Sequence, residues 1–501
     1  MNYFLALACS LGLAQATSAQ AIFIPLGDVP GSVGISRLHH FSADGSVGYG
    51  ESHFPGNVFR TNQWTVGQGV ELVGTSLGTT HEVRIRDLSA SGTRVIGSVL
   101  SGAVSSEGFL WDASTGTQLL GDLIGGTAST PTGISDDGTV IVGWSASAQL
   151  DSEAFVWIEG QGMIGLGAGG PDSPYFNWTR AYAVSADGSL VMGESASANG
   201  VETFLWTQAG GMQVIDNGQT LWPLVSSDGT IIAGTQAGPI GQGNQPILWT
   251  AQGVTVLGNA PGHVNGQPRA MDALGTVVVG TGASQDNCTA LEPWIWTPNS
   301  GTLILKDYLL SRGAAGLDDW CLVVCTSISA DGNVLTGTGF DPEGNSRGWV
   351  AYLDAPPAVN VGTPICSPAV SNSTGVPATL LAIGSKLVEN NATSLQVNGL
   401  PTNQTGFFLN GSTSTFQPMA GGSQGNLCLG GTVGRYVRAG EVQNSGTHGA
   451  IALEIDLMDT PGPAGDYAVL SGQSLVFQAW YRDVNPLATS NFSDAAQVNF
   501  Q

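Results

Sequence analysis

The sequence predicts an all-β protein: a seven-bladed β-propeller closed by an N-terminal strand, followed by a smaller β-sandwich-like domain. Three observations carry this expectation. A paired-glycine motif recurs seven times, an aromatic box follows most copies, and no long window shows the 3.6-residue apolar period of a helix. In the motif, Gly50, Gly97, Gly143, Gly193, Gly234, Gly280 and Gly337 each lie five residues after another glycine. The marker glycines are 41 to 57 residues apart, which suits one four-stranded blade per copy. A chain with 73 glycines is also a poor helix former.

Within a copy, the elements follow in a fixed order. The earlier glycine usually follows Asp, as in Asp44-Gly45, Asp137-Gly138, Asp187-Gly188, Asp228-Gly229 and Asp331-Gly332. Asp-Gly between apolar alternating runs predicts a tight primed hairpin turn, because such a turn needs positive φ. The residues between the glycines, such as Thr139-Val140-Ile141-Val142, read as a buried second strand. The third strand carries the box: Phe109-Leu110-Trp111, Phe155-Val156-Trp157, Phe204-Leu205-Trp206, Ile247-Leu248-Trp249 and Trp294-Ile295-Trp296. A glycine turn then leads to a short fourth strand, as in Gln118-Leu119-Leu120-Gly121. The seventh copy lacks this strand and runs into Ala355-Pro356-Pro357. Phe23-Ile24-Pro25-Leu26-Gly27-Asp28 looks like a fourth strand, so the N-terminus is expected to close the ring and remove an unpaired edge. An open array is the alternative.

The copies resemble the HAF-repeat family of extracellular bacterial proteins. Residues 134–138, 141–143, 153–157 and 162–167 carry the family pattern as Ile134-Ser135-Asp136-Asp137-Gly138, Ile141-Val142-Gly143, Glu153-Ala154-Phe155-Val156-Trp157 and Gly162-Met163-Ile164-Gly165-Leu166-Gly167. Glu107, Glu153 and Glu202 replace the family's His in three copies. The resemblance implies a propeller over roughly residues 22–355 and an extracellular location. It transfers no catalytic residue.

Outside the repeats, residues 1–21 predict a secretory signal peptide, with an apolar core from Phe4 to Leu13 and small residues before Ala21. No stretch reaches 18 consecutive apolar residues, so no transmembrane segment is expected. With 14 basic and 38 acidic residues, the net charge of −24 argues against nucleic-acid partners. An exported chain permits disulfides. Cys366 and Cys428 are expected to pair, and Cys288, Cys321 and Cys325 offer one more pair and a leftover thiol. Residues 356–376 read as a linker, and 377–501 as a C-terminal β-domain with runs such as Ile451–Ile455. Through Gly425–Gly431 and Phe477–Asp483 this domain resembles one found in secreted planctomycete-type bacterial proteins.

No catalytic motif stands out. Gly74-Thr75-Ser76-Leu77-Gly78 and Gly421-Gly422-Ser423-Gln424-Gly425 match a nucleophile elbow in letters, but no helical pattern follows either. His39, His40, His53 and His81 cluster in sequence, yet alternation along a strand would send His39 and His40 to opposite faces, so no metal and no cofactor are expected. The stronger signal lies on the first strand of each blade, which lines a propeller's channel. Counting back from the turn serine, the third and fifth positions are His39 and Arg37, Arg86 and Arg84, Tyr182 and Arg180, and Arg269 and Gln267. Five of the ten basic residues of the propeller region would then meet near one axis. Arginine's planar fork suits carboxylates. The structural alternative is that each Arg pairs with a blade carboxylate, such as Asp87 or Glu82, and ties blades together.

The expected function is an extracellular or cell-surface binding module, with Arg37, His39, Arg84, Arg86, Arg180, Tyr182 and Arg269 as ligand-binding candidates. Acidic glycans or peptide carboxylates would be the ligands, and an extracellular polysaccharide or surface protein the partner. A polysaccharide lyase or glycosidase carried on the propeller is the runner-up, and a structural cell-surface protein the third reading. Fold class alone does not choose among them.

Overall fold

The computed structural model describes residues 21–33, 36–56, 58–73, 82–101, 105–168, 178–197, 200–216, 223–241, 243–284, 289–354, 360–388, 391–484 and 487–501. Residues 1–20 of the expected leader, His81, Cys288 and the Ser76 elbow lie outside these residues. Among them, seven four-stranded antiparallel sheets follow one another along the chain. The first comprises Ser36–Phe41, Val47–Phe54, Val58–Thr65 and Gly69–Leu72, and the plan repeats through Gly301–Ile304. In the last sheet Cys321–Ile328, Val334–Phe340 and Ser346–Tyr352 are joined at the outer edge by Ile22–Pro25. Ile22 pairs with Tyr352 and Pro25 with Trp349. Phe23 packs between Trp320 and Trp349, with ring centroids 5.0 and 6.1 Å away.

The turns between first and second strands are not two-residue hairpins. Ser42 N–H donates to Val47 C=O and Gly45 N–H to Ser42 C=O, both at 2.8 Å, so the loop has four residues. The Ser42 hydroxyl donates to Asp44 Oδ1 at 2.7 Å and accepts Val47 N–H at 3.1 Å, taking the place of a backbone acceptor. Ser135 with Asp137, Ser185 with Asp187, and Ser226 with Asp228 repeat the contact at 2.7 Å. Positive φ is still required: Gly45 sits at +66°.

These turns also touch each other. Ala43 N–H donates to Ala90 C=O, Ala90 to Asp136, Asp136 to Ala186, Ala186 to Ser227, Ser227 to Ala273, Ala273 to Ala330, and Ala330 back to Ala43, at 2.8 to 3.0 Å. The cycle returns to its starting residue.

Six of the seven first strands carry a β-bulge. The register shifts between Leu38 and His40, Ile85 and Asp87, Pro131 and Gly133, Ala181 and Ala183, Pro268 and Ala270, and Cys325 and Ser327. His39, Arg86, Thr132, Tyr182, Arg269 and Thr326 are therefore the extra residues, each without a ladder partner. The marker glycine makes room for the bulge. A Cβ on Gly97 would lie 2.4 Å from Arg84 O, and one on Gly193 2.0 Å from Arg180 O.

One short helix, Leu305–Ser311, interrupts the β pattern; it buries Leu305 and Leu309 against Trp320 and Trp349. No helix among the described residues is long and apolar enough to cross a membrane.

The C-terminal part packs two sheets face to face. One contains Thr405–Pro418, Asn426–Arg435, Ser474–Val484 and Ala488–Asn499, and the other Thr379–Gly384, Thr393–Asn398 and Ile451–Ile455. Leu395, Phe408, Ile451, Phe477 and Tyr481 share the core between them. The stretch expected as a linker is partly structured: Thr363–Ile365 pairs with Gln497–Ala495. Cys366 is bonded to Cys428. Cys321 is also disulfide-bonded, and Cys325 is the buried free thiol among the described residues. Ser423 opens onto no helix; its hydroxyl donates to Ser490 C=O at 2.9 Å. The two parts touch where Gln396 Nε2 donates to Phe23 C=O at 3.0 Å and Ile383 packs with Ile22, Ile24 and Tyr352.

Candidate functional site

A cavity of about 610 Å³ runs along the first strands of four consecutive sheets, within the range of small-molecule sites. Arg37, His39 and His40 come from the first sheet, with Glu51 and Phe59 from its second and third strands. Arg84, Ile85 and Arg86 come from the second sheet, Thr132 and Trp144 from the third, and Tyr182 from the fourth. Five of the seven sequence candidates thus meet on one surface. Arg180 does not line it and lies over the rings of Trp144 and Trp178 at 5.2 and 5.1 Å. Arg269 occupies the equivalent bulge of the sixth sheet and does not line this cavity.

The bulge explains an expectation that failed. Strict alternation would part His39 from His40, yet both line the cavity, as do Arg84, Ile85 and Arg86. An extra residue in the strand suspends alternation and turns neighbouring side chains to one side. Where the bulged residue is threonine, it ties sheets instead: Thr132 Oγ1 donates to Ala181 C=O at 2.9 Å, and Thr326 Oγ1 to Leu38 C=O at 3.2 Å.

The bulge also sets the pairing of Arg37. Without the extra residue Arg37 would face Ser52; with it, Arg37 faces Glu51. Arg37 Nε donates to Glu51 Oε1 at 2.9 Å, and its Nη2 donates to the same oxygen. His39 Nε2 stands 3.7 Å from that oxygen. Burial would raise the Glu51 carboxyl, but His39 and Arg37 outweigh it and hold the pKa at about 2. This ion pair lies within one sheet, so it does not tie blades together as the structural alternative supposed. That role falls to Arg94, which meets Asp112 at 3.0 Å in its own sheet and Glu159 at 3.1 Å in the next.

Arg86 is different. Its Nε is buried and has no hydrogen-bond partner among the described residues. Burial, then the like charge of Arg84, lowers its pKa. Asp87, offered by the sequence as an arginine partner, instead stands 3.7 Å from His40 Nδ1 and accepts Ile134 N–H at 3.2 Å. Burial pushes Asp87 up to about 7, against the hydrogen bonds from Leu88 and Ile134. Burial, with His39 and Arg86 adding repulsion, takes His40 down to about 3. The wall is therefore cationic through its arginines, with a neutral imidazole between them.

The third and fourth sheets give the cavity further aromatic lining. Trp144 and Tyr182 meet edge to face, 6.1 Å apart. Tyr182 Oη donates to Glu194 Oε2 at 3.2 Å, and its pKa is pushed up to about 12, first by burial and then by Glu194. Sequence reasoning missed Glu51, Phe59, Thr132 and Trp144. Glu51 and Trp144 were findable, since each directly follows a marker glycine. Among the described residues no group of three or more His, Cys, Asp or Glu side chains is placed to hold a metal ion.

No protein-family model matches the chain, and no curated protein matches it. Solved structures similar in fold include TolB from Acinetobacter baumannii, 13% identical over 56% of this chain and 61% of that one, TM-score 0.35. An oligogalacturonate lyase in complex with manganese is 12% identical over 67% of this chain and 98% of that one, TM-score 0.44. The β-propeller domain of the Trilobed protease from Pyrococcus furiosus is 11% identical over 63% and 95%, TM-score 0.37. These likenesses concern the fold and assign no chemistry.

Proposed function

We propose that this protein is a secreted binding module that takes an anionic ligand in the cavity along its first four sheets. In this reading the seven sheets are the blades of one propeller, closed by Ile22–Pro25. The cycle of turn hydrogen bonds supports closure, and the disulfides and the leader-like residues 1–21 support export. The repeated motif supports kinship with the HAF-repeat proteins. The observation that carries the function is Arg86: a cation with a buried, unpartnered N–H, beside a second arginine, on a cavity large enough for a ligand. A buried donor left unmade is costly, and an anion relieves both that cost and the repulsion.

The test is a binding screen of residues 22–501 against acidic and neutral polysaccharides, with product release scored in the same wells. Acidic-glycan binding that weakens at high salt and in Arg86→Gln supports the reading. Salt-independent binding, or binding indifferent to Arg86→Gln, overturns it. A second reading, a polysaccharide lyase or glycosidase, draws on His39 held beside Glu51 on the same cavity. Release of unsaturated or reducing ends would promote it.

A further inference from the structure

The lining of the cavity differs in kind between the sheets, apart from Phe59 on the first. Arg37, Arg84 and Arg86 stand on the first two sheets, and Trp144 and Tyr182 on the third and fourth. An anion alone needs only the arginines. Trp144 lines the cavity while Arg180 lies over its ring and Tyr182 meets it edge to face. These contacts hold the indole in one orientation, as a platform needs to be held. The remaining lining is mixed: His39, His40, Glu51 and Thr132 are polar, and Phe59 and Ile85 apolar. A hydroxylated ring would find both a face to stack on and donors for its oxygens.

We infer that the ligand is a ring-bearing carboxylate of the uronic-acid class, its carboxylate on the Arg86 side and its ring face on Trp144. This deepens the anion-binding reading and rests on it.

The experiment is calorimetric titration of residues 22–501 with three probes: a uronic acid trisaccharide, the same trisaccharide with its carboxyls reduced to alcohols, and citrate. The proteins are wild type, Arg86→Gln, Trp144→Ala, and Trp144→Leu in case the alanine variant does not fold. Arg269→Gln, off the cavity, is the control. Wild type is expected to bind the uronate more tightly than either other probe. Trp144→Ala or Trp144→Leu is expected to weaken the uronate about tenfold and leave citrate unchanged. Arg86→Gln is expected to weaken uronate and citrate alike, by about tenfold. If the Trp144 variants spare the uronate while Arg86→Gln weakens it, the ring inference fails and the anion reading stands. The ring inference fails in the same way if citrate binds as tightly as the uronate. If the reduced trisaccharide binds as well as the acid, or Arg86→Gln changes nothing, the anion reading itself fails.

Discussion

Gly50 lies so close to Arg37 that a Cβ on it would stand 1.9 Å from the Arg37 carbonyl oxygen. The contact exists because the first strand bulges at His39 and presses its backbone onto the second strand. The glycine, the bulge and the direction of Arg37 are one feature, repeated at Gly97 with Arg84 and at Gly193 with Arg180.

Gly193→Ala should therefore destabilise the fold by about 3 kcal/mol, since its Cβ would meet backbone oxygen at 2.0 Å and the Phe204 ring at 2.7 Å. Gly210→Ala, whose nearest neighbour is the Thr207 hydroxyl at 3.0 Å, should cost far less. Denaturant unfolding of both variants makes the comparison, and equal losses would contradict the bulge account.

Phe23→Ala should cost about 4 kcal/mol, the usual loss for a large side chain removed from a filled core. Phe23 is 1% exposed and holds the edge strand of the last sheet against Trp320 and Trp349. Trp fluorescence should report unfolding at lower denaturant. A midpoint like that of wild type would show that the N-terminal strand does not matter to the fold.

Replacing Cys366 and Cys428 by serine should lower the stability of the C-terminal part by about 4 kcal/mol, because the bond closes a 62-residue separation. Calorimetry with and without reductant checks this, and an unmoved transition would count against it.

His40 and Asp87 impose opposite pH dependences. His40, lowered from 6.5 to about 3, stays neutral in the folded state where the unfolded chain takes up a proton. Its contribution is present above about pH 6.5 and is lost as pH falls towards 3. Asp87, raised from 3.8 to about 7, does the reverse: its contribution is present below about pH 3.8 and is lost as pH rises through 7. Between those limits the two slopes offset each other. His40→Asn should leave the Asp87 slope, with stability falling from about pH 4 to about pH 7. Asp87→Asn should leave the His40 slope, with stability falling as pH drops below about 6.5. Unfolding at a series of pH values distinguishes them, and two slopes of the same sign would refute the assignment.

Glu51→Gln should tighten anion binding by roughly fivefold, of order 1 kcal/mol, because it removes the carboxylate that occupies Arg37 on the cavity wall. Titration with the uronate trisaccharide reads this directly. Weaker binding would mean that Glu51 positions Arg37 rather than competing for it.

Much of this molecule was legible in its sequence. Repetition of Gly45–Gly50 and its copies announced the sheets, because a turn glycine and a strand glycine at fixed spacing leave few other β arrangements. The resemblance of Phe23–Asp28 to a fourth strand placed the N-terminus on the last sheet, where Ile22–Pro25 pairs with Trp349–Tyr352. Cys366 with Cys428 was legible too, as the two cysteines beyond the repeats. The turn type was not, because the Ser42 hydroxyl replaces a backbone acceptor and lengthens the loop.

The sequence by itself determined the periodic features: which residues turn, which strands pair, and which strand position carries the arginines. These depend on local φ preference and on alternation, which act over a few residues. Only the tertiary structure decided what those arginines do. Arg37 meets Glu51 because a bulge shifts the register by one. Arg86 keeps an unpartnered N–H because the neighbouring Asp87 turns to His40 and Ile134. Trp144 joins the cavity because the third sheet stands beside the second. Each outcome depends on the close approach of chain segments far apart in sequence, and alternation along one strand carries no record of it.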